Sequence, residues 1–224
     1  MNLKEISKER RTIKSYDKDK KINDKDWEEI IDFAHNSPTS MNWQTWRAII
    51  VDRDSEFMRK ITPNEMMYNT QNAHDAHKTV FFVSPNNDGY EKTEFKSKRI
   101  AESIRLKSLI NGEKINIEDI EEEKISRGLE SLKTWFNQDF ESWGIKQGYI
   151  GASFMVIAAA SLGIDTTMME GINVKNMNSL LLENELITEH ETTYLAVTFG
   201  YRTKDYKMLP TSRDPKNVKF TNSK

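Results

Sequence analysis

Four short patches hold the residues best able to do chemistry. Near the start, RRTIKSY (10–16) places Arg10, Arg11 and Lys14 beside the hydroxyls of Thr12 and Ser15. Guanidinium forks match phosphate oxygens bidentately, so the pattern suits an anion. Taken alone, a solvated basic face explains it better. The second patch, SPTSMNWQTWRAII (37–50), is a turn of small polar residues, interrupted by Trp43 and Trp46, that runs into an apolar strand. Solvated loops rarely hold tryptophan, and core strands rarely begin with Asn and Gln. The mixture suits backbone and amide groups presented to something flat with a polar edge. A plain helix-to-strand turn with both tryptophans in the core competes with that reading. The third patch, MMEGIN (168–173), sets Glu170-Gly171 after the strand-like run GIDTTMM, where an ordinary turn would also use glycine for a positive φ. The fourth, LPTSRDP (209–215), reads by itself as a surface loop with one arginine, Arg213.

Much other chemistry is excluded. No GxGxxG, P-loop, HExxH or GxSxG pattern is present. The chain has no cysteine, which removes disulfides, thiolate metal sites and Cys nucleophiles. Of the four histidines, His35, His74, His77 and His190, only His74 and His77 lie close together, and a surface pair is expected there rather than a metal site. Lys+Arg (33) and Asp+Glu (35) nearly cancel to a net charge of −2, so no footprint for nucleic acid or an anionic membrane exists. No apolar run approaches the roughly 20 residues needed to span a bilayer. The opening MNLKEISKERR has no h-region, and a soluble cytoplasmic protein is expected.

The elements that must position these patches alternate irregularly. KDWEEIIDFAH (25–35) puts Trp27, Ile30, Ile31 and Ala34 on one helical stripe, with Asp24 as the expected N-cap. Ser37-Pro38 ends that helix, because proline disfavours helical geometry in the residue before it. WRAIIVD (46–52), TVFFVS (79–84) and TTYLAVTFGYR (192–202) read as strands. Helices are expected over Thr93–Leu109 and 173–183, with 111–124 polar and exposed. From Ser142 to Leu162 the chain is apolar nearly all round and rich in small residues, closing on Gly163 as C-cap. Such a helix belongs at the centre of a domain or a dimer. Without a regular βαβ repeat, the order favours α+β over a doubly wound sheet.

Together and in this order, the patches resemble the nitroreductase family of FMN-dependent oxidoreductases. The resemblance covers nearly the whole chain. It begins with RRTIKSY and continues with SPTSMNWQTWRAIIV, similar to the family's APSSxNxQPWxF signature. KQGYIGASFMVIAAASLGIDTTMMEGIN is similar to the family's long central helix and Glu-Gly turn, and TFGYR and LPTSR close the series. The resemblance implies a single α+β domain over 1–224, with a central, mainly antiparallel sheet flanked by helices. It also implies a variable helical, cleft-covering region at about 90–141, carrying Trp135, Phe136 and Phe140. A tail at about 214–224, with Val218 and Phe220 alternating, would be exchanged as a strand in a homodimer. The implied activity is ping-pong hydride transfer through flavin N5, from NADH or NADPH to a nitroaromatic or quinone-type small molecule. A dedicated flavin or dihydropteridine reductase, a reductive dehalogenase, and a non-catalytic flavin-binding protein remain alternatives.

By the same resemblance, Arg10 and Arg213 hold the FMN phosphate, with a hydroxyl from Thr12 and backbone or charge from Arg11. Lys14 is the cation near the pyrimidine edge, where it would stabilise negative charge on N1/O2 of the reduced ring. Asn69 matches the ring-binding Asn. Backbone N–H groups of Glu170 and Gly171 would face N5 and O4, with Met168 and Met169 under the ring. Lys14 and Glu170 are thus the candidate catalytic positions. Ser37, Pro38, Thr39, Ser40 and Asn42 match the turn that serves the flavin of the opposite subunit, with Trp46 anchoring it. Three departures stand out: Thr45 replaces the signature's proline, Asn72 stands where many members have a second lysine, and Thr211 replaces a lysine near the end. No metal is expected.

Overall fold

The computed structural model describes residues 3–92, 95–136, 139–212 and 220 of the chain. After α1 (Leu3–Glu9) an extended segment carries the basic patch, followed by α2 (Asp24–His35). Asn23, not Asp24, caps α2: its side chain accepts the Asp26 N–H at 2.9 Å. Asp24 and Asp26 instead occupy the first turn, where the helix dipole favours carboxylates. Trp27, Ile30 and Ala34 are buried, and Ile31 packs beside them. The polar turn leads into β1 (Arg47–Asp52), then the short helices α3 (Glu56–Lys60), α4 (Pro63–Met66) and α5 (Thr70–Asp75). Thr62 and Glu65 form a reciprocal capping box on α4.

β2 (Lys78–Pro85) is followed by α6 (Asn87–Lys92), α7 (Phe95–Ile110), α8 (Glu122–Phe136) and the long α9 (Phe140–Ser161). The chain then forms β3 (Asp165–Met169), α10 (Val174–Glu183) and β4 (Glu191–Gly200). The four strands make one sheet in the order β1-β2-β4-β3, every pairing antiparallel. β2 and β4 are central and covered on both faces, so they are nearly continuous apolar runs rather than alternating ones. Successive side chains point to opposite faces. Val80 and Phe82 enter one core with α2 and α9, while Phe81 and Val83 enter another with Met169, Met177 and Leu181. The expected α+β class is what the chain adopts.

α9 is buried along much of its length, with Leu162 as C-cap and Gly163 taking the positive φ (74°) that follows. α8 falls within the region expected to be helical, but its bounds were not read from the sequence, where 111–124 reads only as polar and exposed. It is rich in charge, but Ile125, Leu129 and Leu132 recur at helical spacing and pack on α7. Gly128 permits that approach, since a Cβ there would lie 2.7 Å from Ile100 Cγ2. Phe140 is 2% exposed and packs with Tyr90 and Trp143, so it belongs to a core. The side chains of Trp135 and Phe136, and residue Val218, lie outside the described residues. Phe220 is fully exposed in the single chain. Among the described residues no helix is long and apolar enough to cross a membrane.

Candidate functional site

A cavity of about 350 Å3 opens where β3 ends. The basic segment reaches it by running along the edge of β3. Thr12 bridges Thr166, the Ile13 N–H donates to Thr167 Oγ1 at 2.9 Å, and Thr167 Oγ1 donates back to Ile13 O. The Tyr206 hydroxyl braces the same stretch, accepting from Lys14 N–H and donating to Thr12 O. These contacts deliver the Lys14 side chain to the rim, where its Nζ donates to Asn69 Oδ1 at 3.3 Å. Partial burial lowers the pKa of this ammonium from its ordinary value.

Asn69 is 2% exposed and uses both ends of its amide, since its Nδ2 also donates to Gly171 O at 2.8 Å. It follows Met67, whose φ of 51° and ψ of −132° are costly for a residue with a side chain. Tyr68, between them, projects 78% exposed at the cavity mouth. Glycine at 171 leaves room for the buried Asn69 amide and for Tyr68. A Cβ would stand 2.4 Å from Tyr68 Oη and 2.8 Å from Asn69 Nδ2. On the far wall, Tyr149 of α9 donates to Glu170 Oε1 at 2.7 Å. Burial, and next that bond to Glu170, push the Tyr149 phenol up, so it stays protonated. The two methionines divide. Met168 is 37% exposed towards the opening, whereas Met169 borders the cavity but is 2% exposed and packs into the second core.

Lys14, Asn69, Met168, Met169, Glu170 and Gly171 are therefore brought together. Arg11 is committed elsewhere: its guanidinium donates to the carbonyls of Lys8, Arg10 and Leu209. That last bond draws the start of the LPTSR loop beside Arg10 and Arg11. Arg213 lies outside the described residues, four positions further along. Asn72 is 6% exposed and turned inward, with its Nδ2 3.6 Å from the Met169 sulfur and its buried Oδ1 without a hydrogen-bond partner. It does not border the cavity.

The polar turn occupies a different place. Thr39 and Asn42 line a second groove of about 700 Å3, with Trp46 and the edge strand β1. Met41, Asn42 and Gln44 all have positive φ (55°, 55° and 52°), a concentration of backbone strain characteristic of functional loops. The turn is held by Thr39 Oγ1 accepting Gln44 N–H at 3.1 Å and by Ser40 N–H donating to Gln147 Oε1 at 2.8 Å. Pro38 is exposed in front of it. Trp43, 1% exposed and edge-on to Trp143, is the deeper anchor, while Trp46 is half-buried against Phe82. His74 and His77 serve backbone groups, at Ile61 O and Ile22 N–H. Among the described residues no group of three or more acidic or histidine side chains could hold a metal.

Tyr149 and Tyr68 were missed as site residues. Tyr68 adjoins Asn69 and could have been found; nothing in the sequence links Tyr149 to Glu170.

An ammonium, a buried amide, a bare glycine backbone and a part-exposed methionine thus meet at one sheet end. Residues 7–201 match the Nitroreductase family, and the chain belongs to it. A Haemophilus influenzae protein named "Putative NAD(P)H nitroreductase" is 28% identical over 207 residues, covering 90% of this chain and 88% of that protein. Solved structures share the fold. A nitroreductase family protein from Streptococcus pneumoniae superposes with a TM-score of 0.66 at 19% identity, over 99% of this chain and 100% of that one. A structure from Exiguobacterium sibiricum, described as a complex with FMN, gives 0.68 at 18% identity over 97% and 95%.

Proposed function

We propose that the Lys14 cavity binds FMN and that the protein is an NAD(P)H-dependent oxidoreductase acting on nitroaromatic or quinone-type acceptors. The observation that carries this reading is the convergence of Lys14, Asn69, Met168, Glu170 and Gly171 on one cavity. These residues fit a flavin. Gly171 lets a ring edge approach the backbone, Met168 offers an apolar surface, and Lys14 and Asn69 supply a cation and an amide at the rim. The anion end falls to Arg10, Thr12 and Arg213. FMN supplies two-electron hydride transfer through N5, alternately from NAD(P)H and to the acceptor. The chain's own work is to bind the ring, to hold Lys14 beside it, and to leave the Met168 side open to substrates. The names of the Haemophilus and Exiguobacterium proteins support this class.

The purified protein is expected to be yellow, with close to one FMN per subunit, and to oxidise NAD(P)H steadily with a quinone or nitroaromatic present. Colourless protein that fails to bind added FMN in a fluorescence titration would overturn the reading. A yellow protein without turnover would instead make it a flavin carrier.

The working unit in this reading is a homodimer. β1 is an edge strand, and its groove is lined by Ile50, Ala48 and Trp46. Residues 214–224 of a second copy are the proposed occupant of that edge.

A further inference from the structure

Two opposite charges line the Lys14 cavity, and each is bonded to a neutral partner instead of to the other. Lys14 Nζ donates to the Asn69 amide, and the Glu170 carboxylate accepts from the Tyr149 phenol. No ion pair joins Lys14 and Glu170 among the described residues. The Glu170 backbone is fixed independently of Tyr149. Its carbonyl accepts Ile172 N–H at 2.8 Å, the Gly171 carbonyl accepts from Asn69, and Asn173 N–H reaches Glu65 O at 2.7 Å. What the turn does not fix is the Glu170 side chain, which is exposed at the mouth. Among the described residues only the phenol, delivered from α9, is hydrogen-bonded to it, at the far wall.

We propose that Tyr149 is a positioning residue that keeps the Glu170 carboxylate away from Lys14, so that an unneutralised ammonium faces the cavity. Opposite charges on long side chains in one partly desolvated cavity attract one another. Without the phenol, the carboxylate is free to swing onto Lys14 and cancel the charge that a reduced, anionic ring would use. In the part that concerns the ring, the inference rests on the flavin reading. The part that concerns the two charges does not.

The test follows the Lys14 titration in flavin-free protein, by 13C NMR of reductively dimethylated lysines, with the Lys14 signal assigned by its loss in Lys14→Arg. Tyr149→Phe, which keeps the ring and removes one oxygen, is expected to raise the ammonium's proton affinity by about threefold or more, the size of a partly solvated ion pair. Glu170→Gln alone should leave the titration nearly unmoved, and in that background Tyr149→Phe should have no effect. In FMN-loaded protein the same substitution should lower the flavin midpoint potential, again only while Glu170 is present. An unmoved Lys14 titration in Tyr149→Phe would overturn the inference, as would a rise that persists without the carboxylate. Wild-type protein that takes up no FMN would overturn the flavin reading, while the lysine titration would still decide the role of Tyr149.

Discussion

Gly148→Ala tests whether α9 is locked against the sheet closely enough to position Tyr149. A Cβ on Gly148 would stand 1.6 Å from Tyr194 Oη, 2.7 Å from Cζ and 3.1 Å from Cε2. Tyr194 cannot simply step aside. It is 8% exposed, sits on central β4, and its ring lies 5.9 Å from that of Tyr149. Overpacking a core costs about 1–3 kcal/mol. Contacts this short put the strain at the upper end of that range. Replacing glycine by alanine inside a helix returns about 1 kcal/mol. The net loss is then roughly 2 kcal/mol, which for a domain of this size lowers Tm by about 4–8 °C. Calorimetry or thermal circular dichroism reads it directly. Tyr194→Phe removes the nearest clashing atom, so the double variant should recover part of the loss and show non-additivity between the sites. An unchanged or higher Tm in Gly148→Ala would refute the packing argument. So would a double variant no better than the sum of the two single changes.

Three further outcomes are expected. Arg213→Ala should weaken FMN binding more than Lys14→Ala, because Thr211 leaves few cations at the phosphate; a charge-assisted hydrogen bond contributes about 1.5–3 kcal/mol, so about tenfold or more in Kd is at stake, and equal dissociation constants for wild type and Arg213→Ala would count against that role. Lys14→Ala should retain flavin but slow reduction by NAD(P)H and lower the midpoint potential. Because partial burial lowers the Lys14 pKa, its charge is lost at a lower pH than that of a free lysine, so stopped-flow reduction should decline on an alkaline limb that Lys14→Arg abolishes. Deleting 214–224 should lower thermal stability and flavin retention together, checked by light scattering and absorbance, and a folded, FMN-loaded monomer at micromolar concentration would contradict the dimer.

What was legible in the sequence is what local chemistry dictates. β2 and β4 were readable because strands covered on both faces are nearly continuous apolar and β-branched runs, and α9 because it is rich in small residues and apolar on several sides. The Glu170-Gly171 turn and Asn69 were legible only through a collinear resemblance, since neither patch is specific alone. The cap of α2 was displaced by one residue because Asn23 and Asp24 are both good caps, and the choice rests on which side chain reaches Asp26 N–H. The bounds of α8 were lost to its charge, although the region was expected to be helical and its apolar spacing was present. The strain at Met67 and at Met41, Asn42 and Gln44 was not foreseeable. None is glycine, and of the four only Asn42 is a residue type that adopts positive φ readily. Tyr149 was invisible because its partner lies on another element, and no spacing rule joins a helix position to a turn beyond the next strand.

The separation of the polar turn from the Lys14 cavity has a geometric cause in α9. Ser40 bonds to Gln147 and Trp46 packs over Gly151, positions four apart on one side of the helix. Tyr149 reaches Glu170 from a position two residues after Gln147. At 3.6 residues per turn, positions two apart point roughly 200° away from each other. Within one protomer, then, the helix stands between the turn and the cavity. Yet the turn has the marks of a ligand-facing loop: three strained residues, an exposed Asn42, and two tryptophans holding it rigid. A loop so constrained that cannot serve its own cavity has a use if it meets the cavity of a second copy. The substitution that isolates this is Asn42→Ala, which leaves both tryptophans and the whole Lys14 cavity intact. FMN affinity should fall without loss of the dimer. Mixing Asn42→Ala with a Lys14→Ala, Arg213→Ala chain should restore one good site in each mixed dimer, because one partner supplies an intact turn and the other an intact cavity. Mixed dimers that bind no FMN better than either parent would show that the turn and the cavity do not meet across the interface.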